Sequence, residues 1–191
     1  MWSKKNIATL ILSLLLMELW APAEVRVEEL LRIGSGKENP RNSEGDVIEL
    51  KDGRLCLVYT RFTGGGEDHN PADLAMRTSS DGGQTWSEDK ILVPNEGGQN
   101  VMSVSLRRLK SGELLLFYLR KDTPLYDCNL FVRRSTDEFT TLSEAVRVTT
   151  LDGYHVTNND RVIQLSTGRL LAPAVMHTEF DEQGQKVVKG P

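Results

Sequence analysis

Asp81 is the first residue of this 191-residue chain to suggest chemistry: it stands in SSDGGQTW (Ser79–Trp86) as a carboxylate of the kind that serves as a general acid. Its neighbours argue for another use. Gly82 and Gly83 permit positive φ, Asp81 can accept hydrogen bonds from turn amides, and Trp86 offers a large apolar face, so the string is expected to close a tight hairpin. Other reactive types give little by spacing alone. His69, His155 and His177 have no metal-ligand spacing, and no metal or cofactor is expected. Cys56 and Cys128 lie in apolar, strand-like stretches and are expected to be buried free thiols. Tyr59 and Tyr118 also lie in apolar stretches and suit packing, whereas Tyr126 and Tyr154 fall in loops without an assignable partner. Which of the remaining carboxylates and guanidinium groups can meet depends on the elements that carry them.

Those elements repeat. DVIELKDGRLCLVYTRF (46–62), SVSLRRLKSGELLLFYLRK (103–121) and DRVIQLSTGRLLAPAVMH (160–177) are each an apolar strand, a turn ending in glycine and a second apolar strand. The turn glycines Gly53, Gly112 and Gly168 stand 59 and 56 residues apart, and Asp81 and Asp137 stand 56 apart. Each unit adds a third strand and a hairpin tip, then a fourth strand near Lys90–Val93 and Ala145–Val148. Four short antiparallel strands per repeat, with little helical periodicity after the first residues, predict an all-β chain, a β-propeller with blades at about 40–95, 96–150 and, incomplete, 151–191.

Strand order then sorts the polar residues. If the first strand of a blade runs from top to bottom, the hairpin carrying Asp81 lies at the bottom. The starts of the first strands and the loops between second and third strands share the top. Arg41, Glu44, Asp46, Arg61, Glu67, Asp68, His69, Asn100, Arg120, Lys121, Asp122, Tyr126, Asp127, Asn158, Asn159, Asp160, Arg161 and all three histidines fall at that end.

The first residues have a separate logic. MWSKK is a basic segment, the apolar stretch after it is interrupted by Glu18, and Ala21-Pro22-Ala23 suits cleavage, so residues 1–23 are expected to be a secretory signal. The mature chain would be secreted or periplasmic and would keep no stable membrane span. The chain has 23 basic and 27 acidic residues; without Lys4, Lys5 and Glu18 these become 21 and 26. That balance, with no basic run, excludes nucleic acid as an expected partner.

Ser79-x-Asp81-x-Gly83-x-Thr85-Trp86 matches every fixed position of the Asp-box, and STDEFTTL is a worn copy that keeps Ser135, Asp137 and Thr141. GRLLAPA (168–174) after VIQL, and YTRF before a polar loop and DLAMRTS, resemble blades of the bacterial exo-sialidases. The resemblance covers residues about 40–180. That family is six-bladed, and at about 57 residues per blade a ring needs about 340 residues. The chain therefore resembles the front half of such a protein, an N-terminal portion expected to be inactive and to expose strand edges by itself.

The resemblance implies a function and a site. Sialosides carry a carboxylate at the reacting carbon, which the family binds with arginines, using a tyrosine nucleophile activated by glutamate and an aspartic acid as acid/base. Arg61 in YTRF matches the arginine after the second strand of blade 1, and Asp68 in TGGGEDHNPAD matches the acid/base, with Asp73 as a competitor. The first carboxylate-binding arginine is expected where this chain has Glu44; Arg41, three residues earlier, is its substitute. The nucleophile and other arginines are expected beyond Pro191. The implied activity is removal of terminal sialic acid or a related acidic sugar, with sialylated or other acidic glycans as partners. Two alternatives stay open: a non-catalytic Asp-box propeller binding glycan or protein, and a propeller glycosidase for another sugar, which Glu44 favours.

Overall fold

Leu55–Phe62 alternates core-facing Cys56, Val58, Thr60 and Phe62 with the less buried Leu57 and Arg61, the two-residue period of a strand with unlike faces. It folds back on Arg41–Glu49 through a turn in which Gly53 has φ +84°, and Gly112 and Gly168 repeat this at +90° and +89°. These hairpins organise the computed structural model of the protein, which describes residues 25, 27–177, 183 and 185. The expected signal at 1–23 lies outside the described residues. Among those described there is no helix, and hence none long and apolar enough to cross a membrane.

β1 (Arg41–Glu49), β2 (Leu55–Phe62), β3 (Ala72–Ser79) and β4 (Lys90–Val93) form an antiparallel sheet in chain order. β5 (Asn100–Arg108), β6 (Leu114–Lys121), β7 (Cys128–Ser135) and the short β8 (Val146–Arg147) repeat it. Cys56, Val58, Leu74 and Met76 of the first sheet pack against Val101, Val104, Leu106, Leu116 and Tyr118 of the second. The opposite face of the second sheet, with Leu115, Phe117, Leu119 and Leu130, covers Val162 of the third unit. β6 is accordingly buried on both sides. Sheets stacked face to face, with β1 against β5, are successive blades of a β-propeller, of which the chain forms a part.

The inner strands carry a feature that the repeat pattern hides. β1 is bulged between Ser43 and Asp46, and β5 between Met102 and Ser105. Glu44, Ser103 and Asp160, at matching places in the three units, have φ of 54°, 61° and 50°. The kinks stitch the units together: Leu106 N donates to Asp46 Oδ2 (2.7 Å), Asp160 N to Val104 O (3.0 Å) and, from the third unit to the first, Asn159 Nδ2 to Gly45 O (3.1 Å). Gly45 is required by close approach, since a Cβ there would lie 2.9 Å from Tyr59 Cβ.

The third unit departs from the pattern of two continuous strands over 160–177. It forms β9 (Tyr154–Val156) with β12 (Val175–His177), and β10 (Ile163–Gln164) with β11 (Leu170–Leu171). The Asp160 kink splits its first strand and Pro173, without an N–H, interrupts its second. One parallel bridge, Cys128 to Tyr154, joins β9 to β7.

Candidate functional site

The two hairpin tips resolve the role of the most conspicuous acid. Asp81 Oδ1 accepts from Thr85 N (2.9 Å) and Ser79 Oγ (2.8 Å), and its Oδ2 accepts from Thr85 Oγ1 (2.6 Å). Gly83 N donates to Ser79 Oγ, and Trp86 Nε1 to Gly83 O. Asp137 makes the same set with Ser135 and Thr141, while Phe139 N replaces the glycine amide. The bonds from the threonines, foremost among the causes, hold both carboxyls at about 2. Such acids fasten turns. Glu138, next to Asp137, binds Arg108 at the end of β5 and the Lys51 amide in the β1–β2 turn, so the tips share the end of the blades opposite the starts of β1 and β5.

At that opposite end the structure brings Arg41 and Asp68 together. Arg41 Nη1 donates to Asp68 Oδ1 (2.5 Å) and to Gly66 O (3.1 Å), and the guanidinium lies 4.6 Å from the centroid of the Phe62 ring. The hydrogen bond from Arg41, helped by the charges of Arg41, Lys121 and His69, keeps the Asp68 carboxyl below its ordinary value. The Asp68 side chain is 61% exposed and Arg41 30%, so the pair is open to a ligand.

Glu44 sits beside them, just after the start of β1. Burial raises its carboxyl, against a hydrogen bond from Ser103 Oγ (3.3 Å) and the Arg41 charge. It lines a cavity of about 530 Å³ with Asp46, Tyr59, Asn159 and Asp160. Burial also raises the Asp46 carboxyl, so both acids resist ionisation more than exposed carboxylates do.

Arg61 goes elsewhere. Its buried Nε lies 3.3 Å from Asp89 Oδ2, without an aligned hydrogen bond, and Asp89 Oδ1 accepts from Tyr59 OH and Arg77 Nε, each at 2.6 Å. This cluster occupies the face of the first sheet turned away from the second. Asp73 accepts from Asn95 N (2.8 Å), a support for the linker after β4. Tyr59 is buried, its hydroxyl pushed up to about 12 first by burial; Cys56 and Cys128 are buried free thiols, each raised to about 12 by the same cause.

Sequence position gave no role to the two residues nearest the Asp68 main chain. Lys121 Nζ donates to Asp68 O (2.8 Å) and lies 3.5 Å from His69 Nδ1; Asn100 Nδ2 donates to Asp68 O (2.9 Å) and Asn70 O (2.8 Å). Their signal was only their place at the top end. Among the described residues no group of three or more His, Cys, Asp or Glu is arranged to hold a metal ion.

The sequence matches a family described as BNR repeat-like domain over residues 53–189. No curated protein matches it. Among solved structures it is similar to the leech intramolecular trans-sialidase complexed with 2,7-anhydro-Neu5Ac, at 14% identity over 83% of this chain and 43% of that one, with a TM-score of 0.60 against 0.59 for the next. That next one is the NanB sialidase of Streptococcus pneumoniae, at 10% identity over 93% and 45%. The endo-arabinase of Bacteroides thetaiotaomicron follows at 18% identity over 73% and 53%, TM-score 0.51. The chain spans about half the length of these proteins, and the likeness is one of fold.

Proposed function

The chain belongs to the BNR repeat-like family, and from that premise we propose that it forms part of an exported, sialidase-like exo-glycosidase that removes a terminal acidic sugar from glycans. The Arg41–Asp68 pair at the top end carries the proposal. Turnover is proposed for a complete ring containing these blades, of which the chain supplies a part: it spans about half the length of its structural neighbours.

The pair suggests how an acid becomes available only when substrate is bound. In the free protein the hydrogen bond from Arg41 lowers the Asp68 pKa from its ordinary value. A substrate carboxylate that takes the Arg41 guanidinium through two parallel hydrogen bonds removes that contact and adds a negative charge nearby. Both changes raise the Asp68 pKa, so the carboxylate takes a proton from solvent and can deliver it to the leaving oxygen. The test is hydrolysis of a fluorogenic sialoside by the complete ring, with proton uptake followed in weakly buffered solution. Asp68→Asn is expected to lower kcat by about 10²-fold or more, and Arg41→Ala to raise KM and abolish proton uptake. Unchanged rates in Asp68→Asn would remove it from the chemistry.

Glu44 favours a second reading, a glycosidase for an uncharged sugar. It places a half-buried acid where a carboxylate clamp would stand, and it shares its cavity with Asp46 and Asp160. Such groups suit sugar hydroxyls better than an anion. Cleavage of a fluorogenic arabinofuranoside, with none of the sialoside, would decide for it.

A further inference from the structure

We propose that Lys121, assisted by Asn100, is the positioning residue for Asp68: from the second blade it grips the main chain of the first blade's 66–70 loop and so fixes the carboxylate against Arg41. The inference rests on the reading of Asp68 as the site's acid.

The geometry is a three-point hold. Gly66 O accepts from Arg41 (3.1 Å), Asp68 O from both Lys121 Nζ (2.8 Å) and Asn100 Nδ2 (2.9 Å), and Asn70 O from Asn100 Nδ2 (2.8 Å). Both lone pairs of the Asp68 carbonyl are thereby used. The loop is also closed on itself, with Glu67 N donating to Asn70 Oδ1 (2.8 Å) and Asn70 N to Glu67 O (3.0 Å). With its carbonyls held from two blades, the loop turns the Asp68 side chain outward, against Arg41.

Lys121 is an expensive choice for a merely structural post. It is 2% exposed, and among the described residues no carboxylate pairs with its ammonium; a ring face, that of Tyr154, lies 5.6 Å from Nζ. Burial, before any other cause, pulls its pKa down. A methionine of similar length would avoid the desolvation of a charge, whereas only a donor reaches Asp68 O. Asn100 shows the same commitment: it is fully buried, and its Oδ1 has no partner while its amide nitrogen serves two loop carbonyls.

The groups around the Asp68 carboxyl are Arg41 and Glu44 from β1, His69 from its own loop, Lys121 from β6 and Tyr154 from β9. Loss of Lys121 both frees the loop and removes a cation, so each effect moves the Asp68 titration upward. The experiment compares the full chain with Lys121→Met and Lys121→Arg by NMR. In Lys121→Met the Glu67 and Asn70 amides are expected to exchange about tenfold faster or more, with the Leu116 amide of β6 unchanged, and the Asp68 carboxyl to titrate higher. Lys121→Arg, which keeps an N–H for Asp68 O, is expected to restore loop protection. Unchanged exchange and titration in Lys121→Met would overturn the proposal, as would a Lys121→Met chain that does not fold, which assigns the lysine to stability. Neither measurement needs turnover. An active Asp68→Asn enzyme would end the acid reading and leave these results standing.

Discussion

Asp81, Asp137 and Glu138 show what a carboxylate does when every neighbour is a donor. The first two are held at about 2 by bonds from Thr85 and Thr141, and Glu138 at about 2 by the bond from Arg108, against ordinary values of 3.8 and 4.5. A depressed folded-state pKa contributes stability above the ordinary value and loses it as pH falls through the folded one. The tips are therefore expected to keep their bonds at pH 5 and to let go between about pH 4 and 2. The Thr85 and Thr141 amide shifts, followed by NMR, should titrate with midpoints near 2; midpoints near 4 would show that the bonds do not hold the charge. Glu44 has the opposite sign. Its raised carboxyl contributes stability below the ordinary 4.5 that is lost as pH rises through the folded value. Residue by residue, the sequence makes Asp81 and Asp137 legible, because their partners lie within four positions, but not Glu138, whose partners Lys51 and Arg108 are distant in sequence. It does not reveal the Lys121 contact, which spans 53 positions and ends on a main-chain carbonyl that any residue type supplies. Arg61 matched a motif position, but its side chain turned to Asp89, a residue whose approach depends on the twist of a whole sheet.

Hairpin tips and inner strands, as elements, differ in how they accommodate left-handed backbone. The first tip uses Gly82 and Gly83, with φ of 72° and 96°, whereas the second uses Glu138 and Phe139 at 59° and 63°. The worn copy keeps the conformation because its side chains have destinations: Glu138 binds Arg108, and Phe139 is wholly buried in the core between the two blades. Removing a buried phenylalanine costs about 3–5 kcal/mol, and relieving left-handed strain returns about 1–2 kcal/mol. Burial wins. Phe139→Gly is thus expected to destabilise the chain by about 1–4 kcal/mol in urea unfolding, although it restores the motif glycine; a more stable variant would show that strain dominates. The repeat of strand, glycine turn and strand announced the two complete sheets, and β4 fell at the expected Lys90–Val93. The kinks at Glu44, Ser103 and Asp160 did not show, because none is a glycine, the residue type that announces left-handed backbone. The same kink, with Pro173, explains why the third repeat looks continuous in sequence and is broken in space.

On the scale of the molecule, apolar side chains remain uncovered on both flanks. Val47 (52% exposed) and Ile91 (42%) lie on the first sheet, away from the second, while Ile163 (48%) and Val175 (62%) lie in the third unit. Faces of this kind attract one another in water. The 191-residue chain by itself is expected to associate as its concentration rises, seen as a growing weight-average mass in sedimentation equilibrium; a monomer throughout would show that the flanks are tolerated.

The two tyrosine–arginine pairs tie their blades to the rest of the chain in different ways. In the first blade Tyr59 and Arg77 meet Asp89, which enters the same sheet directly ahead of β4, so the cluster is complete within one unit. In the second, Tyr118 and Arg133 meet Glu96, which belongs to the connection between β4 and β5. Arg133 of the second blade thus takes its carboxylate partner from the connection leaving the first, and that connection is anchored to the first sheet by Asn95 N donating to Asp73 Oδ1. The second blade therefore completes its charge pairing only together with the connection from the first, which couples the stabilities of the two units.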